Sequence, residues 1–229
     1  MHKAIFCYLI FTIFFSGEND FQRAENYFKA EKYDLAKPIF ERIVKENSKN
    51  LKAIEYLGDI AGYYQKWDDA LYYYEQLIKV NPKEADYFYK YGGALGMKAK
   101  ESNKFKALGM IGEVRTSFER AIELNPKHLE SRWALIELYL QLPAVVGGSE
   151  KKANIYAAEL SKLSPVDGYL ANGHIDEYFD RYKAAEKEYL KAHQIGNSKT
   201  TFQKLYNLYL NKLKDTAKAQ KLKEQFQNK

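Results

Sequence analysis

The chain has 229 residues, 46% hydrophobic and 29% charged, enough apolar material for a buried core and too much for wholesale disorder. Its formal net charge of +6 comes from 36 basic and 30 acidic residues spread without a long Lys/Arg tract, so the total is no footprint for nucleic acid. The single cysteine, Cys7, excludes a disulfide framework, a cysteine zinc site or a cysteine nucleophile built within one chain.

Met1-His2-Lys3 is a short basic start, and the twelve residues Ala4 to Phe15 are almost wholly apolar. That run is shorter than the roughly 20 residues a membrane span needs. With Ser16-Gly17 just after it, residues 1–16 read as a secretory signal, cut somewhere near Ser16 to Asn19. The competing readings are an uncleaved short anchor and a buried first helix. The residues before Cys7 lack the small side chain expected beside a lipidated cysteine.

From residue 17 onward the sequence repeats itself. Alanines at 36, 70, 153, 185 and 219 each sit in an amphipathic segment, at steps of 34, 83, 32 and 34. Pro82, Pro126 and Pro165 each close a helical segment, at steps of 44 and 39. Both sets imply a period of 34 with ten residues added after Pro82 and five after Pro126. Tyr33, Trp67 and Tyr182 precede three of these alanines by three residues. Large side chains such as Phe40, Tyr74 and Tyr189 follow at four, which is one helical face. Upstream, Gly58, Gly92 and Gly173 supply the small position of a partner helix, where two helices approach closely. Asn81-Pro82 and Asn125-Pro126 stop the pairs, because a residue before proline avoids the helical region. The twenty tyrosines suit packing between helices with the hydroxyl reaching water.

These small, aromatic and proline positions resemble the tetratricopeptide-repeat (TPR) family of 34-residue helix-turn-helix units. The resemblance covers 17–229 as about six units, at 17–50, 51–84, 85–128, 129–165, 166–199 and 200–229. The first unit has Ser48 in place of the closing proline and the sixth has Lys223 in place of an aromatic, as expected of capping repeats. The third carries its ten extra residues between its helices, around 98–112, and the fourth carries five at its turn, within 142–150. The resemblance implies an all-α, right-handed superhelical solenoid. With the leading segment, the chain looks like exported bacterial TPR proteins, periplasmic or secreted.

Catalytic and metal chemistry is not indicated. The nearest cluster, His174 with Asp176 and Glu177, does not share one helical face, and no H-E-x-x-H, P-loop or G-x-S-x-G motif occurs. No cofactor or metal is expected.

In the TPR architecture the first helix of each pair lines the concave face. The corresponding positions hold Glu55, Asp59 and Tyr63 in the second unit, Asp86 and Tyr89 in the third, Glu130, Trp133, Glu137 and Gln141 in the fourth, and His174, Glu177 and Tyr178 in the fifth. The resemblance thus implies an acidic, aromatic groove in a basic protein, suited to a Lys/Arg-bearing peptide or amphipathic helix. The alternative is a merely solvated face whose aromatics serve between repeats. A second candidate contact is the segment 97–115, where Lys98, Lys100, Lys104, Lys106 and Arg115 alternate with Phe105, Leu108, Met110 and Ile111. Its apolar side either packs on the third and fourth units or lies on anionic lipid, which would make the chain a peripheral membrane adaptor. The Pro143–Gly148 turn is a further contact loop or a tight reversal.

Overall fold

The computed structural model describes residues 19–227, so the leading segment 1–16 and Cys7 lie outside the described residues. Twelve α-helices follow in sequence with no strand among the described residues. They form six hairpins: α1 (Asp20–Lys29) with α2 (Tyr33–Glu46), α3 (Leu51–Tyr63) with α4 (Trp67–Val80), and α5 (Ala85–Glu101) with α6 (Lys104–Leu124). The chain continues with α7 (Leu129–Gln141) and α8 (Glu150–Leu163), α9 (Pro165–Tyr178) and α10 (Tyr182–Gly196), and α11 (Lys199–Asn207) and α12 (Thr216–Gln227). A π-helical stretch, Leu208–Leu213, prolongs α11. Each second helix packs on the first helix of the next pair, and α5 touches α7 as α7 touches α9. The hairpins therefore stack in parallel as a solenoid with one concave face.

The repeated small residues are where the helices cross. Ala36, Ala70, Ala153, Ala185 and Ala219 are all buried. A Cβ on Gly58 would stand 2.5 Å from the Tyr74 ring, and one on Gly173 would stand 2.5 Å from the ring of Tyr189. Gly92 meets Phe118 and Ser117 in the same way, at 3.0 and 2.9 Å. An aromatic ring thus lies flat against bare backbone in three versions of one contact. In the fourth unit the sizes are exchanged: Ile136 stands at the glycine position and Ala157 at the aromatic one, both fully buried. Volume is conserved by swapping sides, which keeps the core filled.

Turns repeat as faithfully as crossings. Glu31, Gln65, Asp180 and Lys214 each adopt the left-handed conformation two residues before a second helix, at φ between 55 and 59°. At the other end of the hairpins, Asn47, Asn81 and Asn125 each accept a hydrogen bond from the backbone N–H two residues on. The side-chain turn of Asn47 ends the first unit in the same way as the others although no proline follows it, so the asparagine carries the stop. Pro165 departs from the expected pattern. It opens α9 as its first residue, with Ser164 capping both α8 and α9, so a single residue joins the two helices. Gly168 permits that approach, since a Cβ there would lie 2.5 Å from the Cα of Ser161.

The two insertions take different forms. In the third unit α5 is 17 residues and α6 is 21, against 13 and 14 for α3 and α4. The added residues are therefore helical, broken only at Ser102–Asn103, rather than a segment between helices. Asn103 caps α6 through Lys106 N–H, and Val114, Phe118 and Ala121 bury its inner face. In the fourth unit the addition is a turn containing a short 3₁₀ segment, Ala144–Val146, closed by Gly147 at φ 105°.

Candidate functional site

The concave positions of α3, α5, α7 and α9 fall into two classes. Tyr63, Asp86, Glu130, Gln141 and Tyr178 are exposed, whereas Glu55, Asp59, Tyr89, Trp133, Glu137, His174 and Glu177 are half-buried. The half-buried members are spent largely on one another and on neighbouring repeats. Lys90, on α5, reaches back to α3 and donates to Glu55 at 2.6 Å and to both oxygens of Asp59 at 2.7 Å. Lys52 also pairs with Glu55 at 3.0 Å, and the Tyr74 hydroxyl donates to Asp59 at 2.8 Å. That end of the groove is consequently neutralised from within.

Electrostatics follow from this geometry. Burial pushes the Glu55 carboxyl up, but its bonds to Lys90 and Lys52 more than offset that and hold it below its ordinary 4.5. Burial likewise opposes the charge on Lys90, and the Asp59 and Glu55 carboxylates hold it above the usual lysine value. The Tyr74 phenol is raised by burial and then by Asp59, so it remains a donor.

The next contacts run between α5, α7 and α9. His128 Nδ1 accepts from Ser131 N–H at 3.1 Å, which leaves the proton on Nε2, and Nε2 faces Asp86 Oδ1 at 2.9 Å. Tyr89 rests against the His128 ring, with centroids 5.2 Å apart, and burial with Glu130 and Asp86 nearby raises its phenol. Trp133 Nε1 donates to Asp167 at 3.0 Å, and Glu137 lies 2.6 Å from His174 Nε2 while accepting from Gln141 at 3.0 Å. The His174 imidazole at that distance holds the Glu137 carboxyl below its usual value, against burial, which raises it. Glu177 accepts from the Tyr189 hydroxyl at 2.8 Å. Carboxylates that retain substantial exposure are thus Asp86, Glu130 and Glu137, with side chains 64, 63 and 43% accessible. The acidic character gathers on α5 and α7 rather than along the whole groove.

Sequence reasoning missed Lys90 and His128. The signal that could have found Lys90 is its spacing of 31 and 35 from Asp59 and Glu55, on either side of the 34-residue period. The cluster at His174 does not converge: His174 faces Glu137, Asp176 pairs with Arg181 at 2.8 Å, and Glu177 turns to Tyr189. Among the described residues no group of three His, Cys, Asp or Glu could hold a metal ion.

No family model and no curated protein matches the sequence. Solved structures do match. TTC0263, a thermophilic TPR protein in Thermus thermophilus, aligns at TM-score 0.68 and 17% identity over 84% of this chain and 98% of its own. A tetratricopeptide repeat protein from Parabacteroides merdae aligns at 0.62 and 14% identity over 90% of this chain and 77% of its own. YrrB, described as a TPR protein with an unusual peptide-binding site, aligns at 0.52 and 17% identity over 80% of this chain and 87% of its own. At these identities the likeness is one of fold: with its repeated hairpins, their alanine crossings and their glycine-on-ring contacts, the chain has the fold of a tetratricopeptide-repeat solenoid.

Proposed function

We propose that the chain is a non-enzymatic interaction scaffold or assembly factor of the cell envelope, receiving a basic peptide or amphipathic helix against α5, α7 and α9. The observation that carries the reading is the exposure of Asp86 and Glu130, with the partly accessible Glu137, around Trp133, whose indole is held in place by Asp167. A fixed aromatic anchor flanked by accessible carboxylates suits an apolar side chain with lysine or arginine on either side. Tyr63 and Tyr178, exposed at one edge of the groove, extend the contact surface. The peptide-binding site described for YrrB supports a peptide as the class of ligand. The envelope location rests on the basic-then-apolar pattern of residues 1–16.

Crosslinking in cells, followed by mass spectrometry, compares the wild type with a Glu130→Lys/Trp133→Ala/Glu137→Lys variant of equal helicity. A partner captured only by the wild type is the expected result. A titration of that partner's basic segment should then weaken by about tenfold or more in the variant, mostly at low salt. Equal capture by both proteins would sink the groove reading. N-terminal sequencing of the exported protein should find a new start between Ser16 and Asn19.

A further inference from the structure

Both insertions lie at intra-repeat turns, and parallel stacking of the hairpins puts those turns on one edge of the solenoid. They meet there. Ala99, Lys100, Ala107 and Ile111 of the α5–α6 extension line one cavity of about 190 Å³ together with Leu138 and Leu142, where the second insertion begins. The apolar residues of the extension accordingly divide. Met110 packs against the core and Ile111 lines the cavity, whereas Phe105 is 89% and Leu108 46% exposed. Val145, in the adjoining 3₁₀ segment, is 94% exposed.

The extension also projects. Four added residues on α5 and seven on α6 carry the tip about 6 to 10 Å past the neighbouring turns, at the helical rise per residue. Lys100, Lys104 and Lys106 surround that tip, all exposed, and among the described residues none of the three pairs with a carboxylate. Lys98, one turn back, is tied to Asp68.

We propose that this edge docks on an anionic lipid surface, with Phe105 and Val145 entering the headgroup–acyl boundary and the three lysines meeting lipid phosphates. Two features select lipid over a protein partner. The apolar side chains stand out singly from separate tips rather than lining an outward-facing groove, and a fluid bilayer admits such protrusions without a complementary pocket. The three cations at the rim are unpaired and outnumber the single carboxylate of Glu101 beside them, which complements a surface of phosphates. The side chains proposed to meet lipid are not on the concave face, although Gln141 of the groove lines the cavity beside them. No helix among the described residues is long and apolar enough to cross a membrane, so the contact proposed is peripheral.

The test is co-sedimentation of the full chain with phosphatidylcholine vesicles, with and without phosphatidylglycerol. The wild type should sediment with the mixed vesicles and much less with the neutral ones. Phe105→Ser/Val145→Ser and Lys104→Glu/Lys106→Glu should each lower retention by about tenfold with helicity unchanged. Phe105→Trp should keep binding and shift its emission to the blue on the mixed vesicles alone. Retention equal in wild type and both double variants would mean that another segment, such as residues 1–18, holds the lipid, and the proposal fails. It fails too if the wild type ignores the mixed vesicles, or if Phe105→Trp shows no shift; a self-associated form dissolved by Phe105→Ser would then assign the patch to contact between copies of the chain.

Discussion

Gly58 beneath the ring of Tyr74 is a contact with no room to spare, because the neighbour in the way is a buried ring rather than a flexible tip. Gly58→Ala should destabilise the chain by about 1–3 kcal/mol as the ring is forced off its rotamer. Gly93, one residue beyond the equivalent Gly92, would carry a Cβ with nothing within 4 Å of it. Gly93→Ala should therefore leave stability unchanged or raise it by up to about 1 kcal/mol through helix propensity. Urea unfolding of the two variants separates the effects, and a neutral Gly58→Ala would remove the packing argument. These glycines are legible in the sequence because each belongs to a local pattern. Lys90 is legible only across the repeat period and not within its own segment, because its partners come from the preceding repeat.

The exchanged sizes at Ile136 and Ala157 make an element-scale prediction. Ile136→Gly alone should open a void, and Ala157→Tyr alone should overpack the same crossing, each costing about 2–4 kcal/mol. Made together they restore the arrangement of the other units, so a double-mutant cycle should show a favourable coupling of about 2 kcal/mol or more. Strict additivity would mean that the two positions do not share a crossing. At this scale the sequence reveals how many residues each insertion adds but not the form they take. Gly109 and Gly112 weaken helix propensity in the added stretch, while burial of Val114 and Phe118 along the same helix outweighs them. The acids of the groove can be read one by one from the repeat, yet their grouping onto α5 and α7 follows only from the lysines and histidines that face them.

Across the whole molecule, bonds between repeats depend on ionised carboxylates. Glu55, Glu137 and Glu186 are each held below the ordinary 4.5, the first by Lys90 and Lys52 against burial, the second by His174, and the third by Lys218 against burial. A depressed folded-state value contributes stability above the unfolded value, and that contribution is lost as pH falls through the folded one. The thermal midpoint should therefore decline as the medium is acidified below about pH 4.5, and the slope should flatten in a Glu55→Gln/Glu137→Gln variant. An unaltered slope would show that these bonds are not formed in solution.

The buried side chains form three clusters in chain order. One spans Ala24 to Ile60, one Ile54 to Ile175, and one Leu170 to Leu222, and neighbouring clusters overlap by only a few residues. Because each hairpin leans only on its neighbours, loss of either terminal cluster leaves the middle one largely intact. Amide hydrogens should then exchange with deuterium in a graded order, fastest in α1 and α12 and slowest in α5 to α9. The protein would thus open from its ends inward, like a stack of plates from which the outermost can be lifted without disturbing the centre.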